Sequence, residues 1–305
     1  GWMVGDGGTL RSTTDGGVSW PPPPALPPRE ARELQDFTAV AAVGDQVWVA
    51  GDPGSVIWQS SDNGLSWRAQ PSGDAVAIRG LTFANESVGC AVGLFGSIRM
   101  TWDGGTTWTS VRGQGRRPAI LAIHARSDQP SMEVVVRESA ENGYRSLAFI
   151  LTRGENGAAA ETEAGSTERL RAGFVAAGGN DVSCSWRFPL DRPDIDRQRG
   201  QLVEQWSQLH EQRLAPVMLG GLVAAIRTYR PEVLLIDEPT SDDAVSGLLA
   251  EALAIAIDQA ADPTRYPEQR THLGLSPWEV PKVFCRTPQS QAATLAIDPH
   301  QVLPR

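Results

Sequence analysis

Three stretches near the start of the chain repeat one another, and that repeat limits what this part can fold into. They are VGDGGTLRSTTDGGVSW (4–20), AGDPGSVIWQSSDNGLSW (50–67) and VGLFGSIRMTWDGGTTW (92–108). Each runs Gly-x-x-Gly-[Thr/Ser]-apolar, a short strand, then [Ser/Thr]-x-Asp-x-Gly-x-[Ser/Thr]-Trp. Asp15, Asp62 and Asp103 recur at a period of roughly 40 residues, the spacing of propeller blades or a related β array. The motif is explained by turn chemistry. Each aspartate accepts backbone N–H bonds across the turn, and the following glycine supplies a positive φ. The tryptophans Trp20, Trp67 and Trp108 are expected to bury a large surface between units.

The pattern resembles the Asp-box (BNR) repeat, and the full unit is similar to the repeats of the photosystem II stability/assembly factor family over residues 1 to about 112. Three units are fewer than the roughly four to eight that close a propeller. Gly1 falls inside a repeat, so further repeats are expected to precede it. Asp boxes also occur in sialidases, but a sialidase-like site needs a nucleophilic tyrosine. Tyr144, Tyr229 and Tyr266 all lie outside the repeats. A structural turn or a binding scaffold is the better reading. The run WPPPPALPPREARELQ (20–35) reads as an insertion loop on the rim of the array, or as an extended segment able to dock an aromatic groove.

The net charge of −9 argues against a nucleic-acid surface. No apolar run approaches the ~20 residues needed to span a bilayer. Cys90, Cys184 and Cys285 match no zinc or disulfide pattern, and each is expected as a small buried residue. VLLIDEPTSDD (233–243) has the look of the magnesium-binding strand of an ABC-type ATPase. The chain's single lysine, Lys282, has no glycine loop before it, so no phosphate cradle exists and no ATP is expected.

Beyond residue 112, strands and helices alternate. AILAIH (119–124), SLAFIL (146–151), VSCSWRFPL, VLLI and KVFC (282–285) read as strands. Helices are expected at 130–143, at STERLRAGFVAAGG with Ser166 or Thr167 as cap, at roughly 197–229, and at about 243–259. The fold class is therefore multidomain: an all-β Asp-box array, a partial β-propeller, in residues 1–112, a linker at 113–118, and a Rossmann-like, mainly parallel α/β domain in 119–305. In such sheets ligands bind beyond the carboxyl ends of the strands. Those ends carry His124 to Asp128, Thr152 to Glu155 and Asp237 to Asp243.

The element order, with ENGYRSLAFILTRGE, YRPEVLLI and DPTRYPEQRTHLGLSPWEVPKVFCR, resembles the PIG-L (LmbE-like) deacetylases over residues 117–305. The C-terminal end of that domain is expected to be cut off. The resemblance implies zinc-dependent hydrolysis of N-acetyl groups on glucosamine conjugates. In the family's His-Pro-Asp-Asp-Glu motif, His124 falls on the zinc-binding histidine, Arg126 on the general base, Ser127 on the second ligand and Asp128 on the glutamate. In the family's His-Pro-Asp-His motif, Asp242 falls on the second ligand histidine. A catalytic zinc wants three protein ligands and an open position, and Arg126 puts a fixed positive charge where a base belongs. A displaced ligand set of His124, Asp128 and Asp242 is the alternative; otherwise His124 is a hydrogen-bonded rim residue. Arg153, Glu155, Asp237 and Asp243 are candidates to line a substrate pocket, although 152–155 reads equally as a loop cap.

The leading expectation is a catalytically impaired deacetylase-like domain joined to a β-repeat scaffold, with a glycan, an N-acetyl sugar conjugate or a protein as partner. The alternative is an active zinc-dependent N-deacetylase. A third reading puts function in the repeats alone, as an interaction platform. By analogy, pairing the two parts in one chain points to extracytoplasmic or envelope-associated carbohydrate work.

Overall fold

The computed structural model describes residues 1–73, 76–113, 115–153, 163–190 and 195–287. The N-terminal part is antiparallel. β1 (Trp2–Gly5) and β2 (Thr9–Ser12) form a hairpin. β3 (Asp36–Val43), β4 (Gln46–Asp52), β5 (Val56–Ser60) and β6 (Arg68–Pro71) form a four-stranded sheet in sequential order. β7 (Ile78–Phe83), β8 (Gly89–Gly93), β9 (Ile98–Thr101) and β10 (Thr109–Arg112) repeat that arrangement.

The Asp boxes are the turns that follow β2, β5 and β9, and all three use the same bonds. Asp15 accepts the Ser19 amide at 3.0 Å and the Ser19 hydroxyl at 2.6 Å. Asp62 does the same with Ser66 at 2.9 and 2.6 Å, and Asp103 with Thr107 at 2.9 and 2.6 Å. The hydroxyl two residues earlier closes the turn from the other side. Thr13, Ser60 and Thr101 accept the amides of Gly17, Gly64 and Gly105 at 3.0, 2.8 and 2.7 Å. Those glycines have φ of 93°, 85° and 90°, a conformation that a side chain would strain. The carboxyls fall below the usual aspartate range, chiefly through the hydrogen bonds from Ser19, Ser66 and Thr107.

The tryptophans meet the expectation unevenly. Trp108 is buried, edge-on to Phe83 at 6.0 Å, and Trp67 is half-buried against Trp2 at 6.1 Å. Trp20 remains 36% exposed, its indole N–H bonding the Gly17 carbonyl within its own turn. The proline-rich run ends in a short helix, α1 (Arg29–Arg32), whose Ala31 is buried. None of the thiols is fully buried: Cys90 and Cys184 are half-buried and Cys285 is exposed.

The second part is a parallel sheet. β11 (Ile120–His124), β12 (Ser146–Arg153), β13 (Asp181–Pro189), β14 (Val233–Asp237) and β15 (Lys282–Arg286) stand in the order β13-β12-β11-β14-β15, with every neighbouring pair parallel. Side chains alternate between the two faces, as the strand period requires. Leu121, Ile123, Leu147, Leu151 and Leu234 join a core with α5 (Leu214–Tyr229) and α6 (Ala244–Ala261). Ala148, Ile150 and Val182 face the other way, toward Val135 of α2 (Met132–Val135) and Phe174 of α3 (Glu163–Ala176). By length and composition α6 could cross a membrane, but Val245, Leu249, Leu253, Ala256 and Ala260 are buried in the core.

Helix boundaries depart from the sequence reading in three places. The helix expected over 130–143 is α2 followed by a π-helix at Val136–Glu141, shown by the i→i+5 bond from the Asn142 amide to the Arg137 carbonyl. α3 starts at Glu163, so Ser166 and Thr167 lie inside it. The helix expected over 197–229 is two, α4 (Arg199–Leu209) and α5, separated by Glu211 and Gln212 at positive φ. Pro216 sits in the first turn of α5, where its missing N–H costs no intrahelical bond.

The two parts share packing. Ala224 of α5, together with Leu273 of α7 (Pro267–Leu273) and Leu275, joins Phe37, Val47, Val49 and Val56 of the repeats in one cluster. Buried polar contacts run alongside. The Tyr229 hydroxyl lies 3.2 Å from Asp52, and Arg79 bridges Asp52 at 2.9 Å and Asp181 at 3.2 Å.

Candidate functional site

The order of the parallel sheet reverses between β11 and β14, which both leave from the centre in opposite directions, so the rim above their carboxyl ends is the expected crevice. His124 ends β11 and is 3% exposed, and its Nδ1 lies 2.5 Å from Asp237 Oδ2 at the end of β14. Asp237 Oδ1 accepts Arg286 Nε at 2.7 Å from the end of β15, and Arg286 continues to the Gln129 carbonyl at 2.8 Å. Burial pushes the Asp237 carboxyl up, but the His124 and Arg286 interactions outweigh it, and the net direction is down.

Arg126 is the centre of a second cluster. Its Nη1 lies 3.0 Å from Asp196 and 3.1 Å from Asp243, and its Nε lies 3.6 Å from Asp128. Asp243 is also the N-cap of α6, accepting the amides of Val245 and Ser246 at 3.1 and 3.2 Å. Gln129 closes the loop, accepting the Arg126 amide at 3.0 Å and donating to Ser246 Oγ at 3.3 Å. The guanidinium thus ties the β11 loop to the start of α6. At the neighbouring strand end, the Thr152 hydroxyl and amide both bond the Ala125 carbonyl, at 2.7 and 3.1 Å.

The other sequence candidates are dispersed. Asp128 is largely exposed and Asp242 is exposed, whereas Asp243 beside it is buried in the Arg126 cluster. Arg153 reaches away from the rim to Asp6 of the repeats at 3.5 Å. Glu155 lies outside the described residues. Sequence reasoning missed Asp196, Gln129 and Arg286. Arg286 follows directly on the strand predicted at 282–285, one residue short of the observed β15, but Asp196 sits in no motif.

These residues do not fit the zinc ion implied by the deacetylase resemblance. An Asp–His pair such as His124–Asp237 can orient a metal-binding imidazole, but a zinc site needs further converging donors. Among the described residues no group of three or more His, Cys, Asp or Glu side chains is arranged to hold a metal. Arg126 meanwhile brings a fixed positive charge into the carboxylates nearest the rim. The small cavity beside His124, of ≈20 Å³, is lined mainly by apolar groups such as Ile120, Ala122, Val134 and Leu235.

No curated protein matches the chain. YCF48 bound to D1 peptide is 28% identical, covering 36% of this chain and 36% of its own, with a TM-score of 0.32. YCF48 from Cyanidioschyzon merolae is 28% identical over 36% of this chain and 32% of its own, with a TM-score of 0.30. The chain thus spans about a third of the length of these YCF48 structures. The conserved protein TT1542 from Thermus thermophilus is 16% identical, covering 58% of this chain and 69% of its own, with a TM-score of 0.40. The N,N'-diacetylchitobiose deacetylase from Pyrococcus horikoshii is 13% identical over 52% of this chain and 56% of its own, with a TM-score of 0.35. Residues 1–111, the antiparallel sheets with their Asp boxes, match the family model described as Photosynthesis system II assembly factor YCF48.

Proposed function

We propose that this chain is a binding protein made of an Asp-box scaffold and a deacetylase-like α/β unit whose metal chemistry has been replaced by fixed ion pairs. The observation that carries the reading is Arg126. At the position where the PIG-L resemblance puts a general base, its guanidinium pairs with Asp196 and Asp243 at 3.0 and 3.1 Å. A permanently charged guanidinium cannot take a proton from water and repels a divalent cation. The rim is therefore braced by ion pairs on Asp196, Asp237 and Asp243, and suits a ligand held without chemistry.

The repeats supply the surface for a partner, and a peptide is the partner class we favour. The family match over residues 1–111 supports this, as do apolar side chains at the box turns: Val18 is 87% exposed, Leu65 64% and Trp102 60%. The boundaries proposed for the two parts are 1–112 and 119–305. A deacetylase assay of the full chain with N-acetylglucosamine conjugates and added zinc tests the catalytic half of the reading. The expected result is no turnover above background. Turnover that is lost in His124→Ala contradicts it.

A further inference from the structure

A cleft of ≈180 Å³ lies between the repeats and the α5 face of the parallel sheet. It is distinct from the rim: Phe149, Leu151, Ser183 and Ser185 face it from β12 and β13, whereas His124 lines the small cavity beside α2. Junctions between structural units are a preferred place for small-molecule sites. The cleft has room for several waters, or one molecule of monosaccharide size or smaller.

Most of the charges around the cleft are paired within the walls, while Arg187 bonds the Glu33 carbonyl and Asp36 accepts the Gly7 amide at 2.8 Å. Asp52 pairs with Arg79 at 2.9 Å and accepts the Tyr229 hydroxyl. Asp181 pairs with Arg171 at 2.9 Å and with Arg79 at 3.2 Å, and Asp6 pairs with Arg153 at 3.5 Å. A ligand with a net or separated charge would break one of these pairs and strand its partner, which is costly where the pair is buried. Hydroxyl groups can both donate to the carboxylates and accept from the guanidiniums while the pairs stay intact. Phe188 adds an apolar wall for a C–H face.

The helix wall carries an independent sign. Gly220 and Gly221 lie in tandem inside α5. Gly220 has a packing reason, since a Cβ there would meet the Tyr266 ring at 3.3 Å. Gly221 has none: a Cβ would meet nothing within 4 Å, and the residue lines the cleft. A glycine inside a helix weakens it relative to alanine. At Gly221 the space a side chain would take is empty and borders the cleft.

We propose that this cleft binds a small neutral polyhydroxyl compound, held by the charged walls through its hydroxyls. The site needs neither the rim nor zinc, so it stands independently of the reading above. Isothermal titration of the full chain with D-glucose and with sorbitol, using sodium glutamate as the charged comparison, tests it. Gly221→Leu fills the open space and favours the helix. The expected result is saturable binding of at least one of the two polyols and none of glutamate. In Gly221→Leu, with an undiminished melting temperature, that binding weakens about tenfold or more. If Gly221→Leu melts lower, Ser185→Leu from the opposite wall is read by the same criteria. Absence of saturable polyol binding, binding of glutamate, or unchanged polyol binding in the cleft-filling variant overturns the proposal.

Discussion

His124 and Asp237, 113 residues apart in sequence, meet at 2.5 Å across the ends of β11 and β14. The contact joins the two central strands at the point where a sheet of this topology opens its crevice. It also holds a buried imidazole in one orientation. His124→Ala leaves Asp237 with Arg286 as its remaining charge partner. We expect a loss of about 1–3 kcal/mol, the cost of a buried acceptor deprived of its donor, measured by urea denaturation. The folded Asp237 carboxyl lies below its ordinary value. Its contribution is therefore present above the unfolded aspartate range and is lost as pH falls through the folded pKa. The gap between wild type and His124→Ala should narrow at acid pH.

Arg227 offers a larger effect. It is 1% exposed, and its guanidinium bonds the carbonyls of Gln259, Ala260, Asp262 and Arg265, at 3.1, 3.1, 2.8 and 3.0 Å. These are the orphan carbonyls at the end of α6 and the turn beyond it, which need a donor. Arg227→Met keeps much of the bulk and removes every donor, so we expect a loss of about 3 kcal/mol or more. Lysine cannot reproduce the planar fork, and Arg227→Lys should recover only a minor part. Chemical denaturation of both variants checks the order.

Tyr229 couples the repeats to the α/β unit through Asp52. Burial, followed by the Asp52 charge, raises the phenol well above its ordinary value. A group raised in the folded state stabilises below its unfolded pKa and loses that contribution as pH rises toward the folded one. Stability should therefore fall above about pH 10. Of the chain's three tyrosines, Tyr229 should ionise only on unfolding in an ultraviolet alkaline titration. Tyr229→Phe removes that step and lowers stability by about 1 kcal/mol.

Much of this architecture is legible in the sequence, and the reasons are local. Asp15, Asp62 and Asp103 announce their turns because every bond they make is to a residue within four positions. The β11, β12 and β14 strands are legible as continuous apolar runs, and β11 and β12 are buried on both faces. The break at Glu211 and Gln212 is announced by Pro216 in the first turn of α5, a signal the sequence reading passed over. The π-helix after α2 was not legible: it starts with no glycine or proline at the point of change, so packing decides it. The same limit applies to the rim. Arg126 could be placed at the family's base position, but its partners Asp196 and Asp243 come from elements 70 and more residues away. The cleft between the two parts had no sequence signal at all, because Asp52, Arg79, Asp181 and Tyr229 belong to four separate elements.

The boxes themselves are open to a simple test. Asp103 holds Thr107 through its amide and hydroxyl and keeps its carboxyl low chiefly through that residue. Asp103→Ala should lower the melting temperature at neutral pH. The difference from wild type should shrink as pH falls through the aspartate range, because the lowered carboxyl contributes only while ionised. Differential scanning calorimetry across a pH series reads both effects.

Arg126 decides the central claim, and metal content tests it most directly. The full chain is exposed to excess zinc, desalted and measured for bound metal, beside the double variant Arg126→Asp, Ser127→Asp, which returns the family's residue types to both positions. The account predicts substoichiometric zinc in the wild type, with any gain confined to the variant. About one zinc per wild-type chain, lost in His124→Ala, would contradict it.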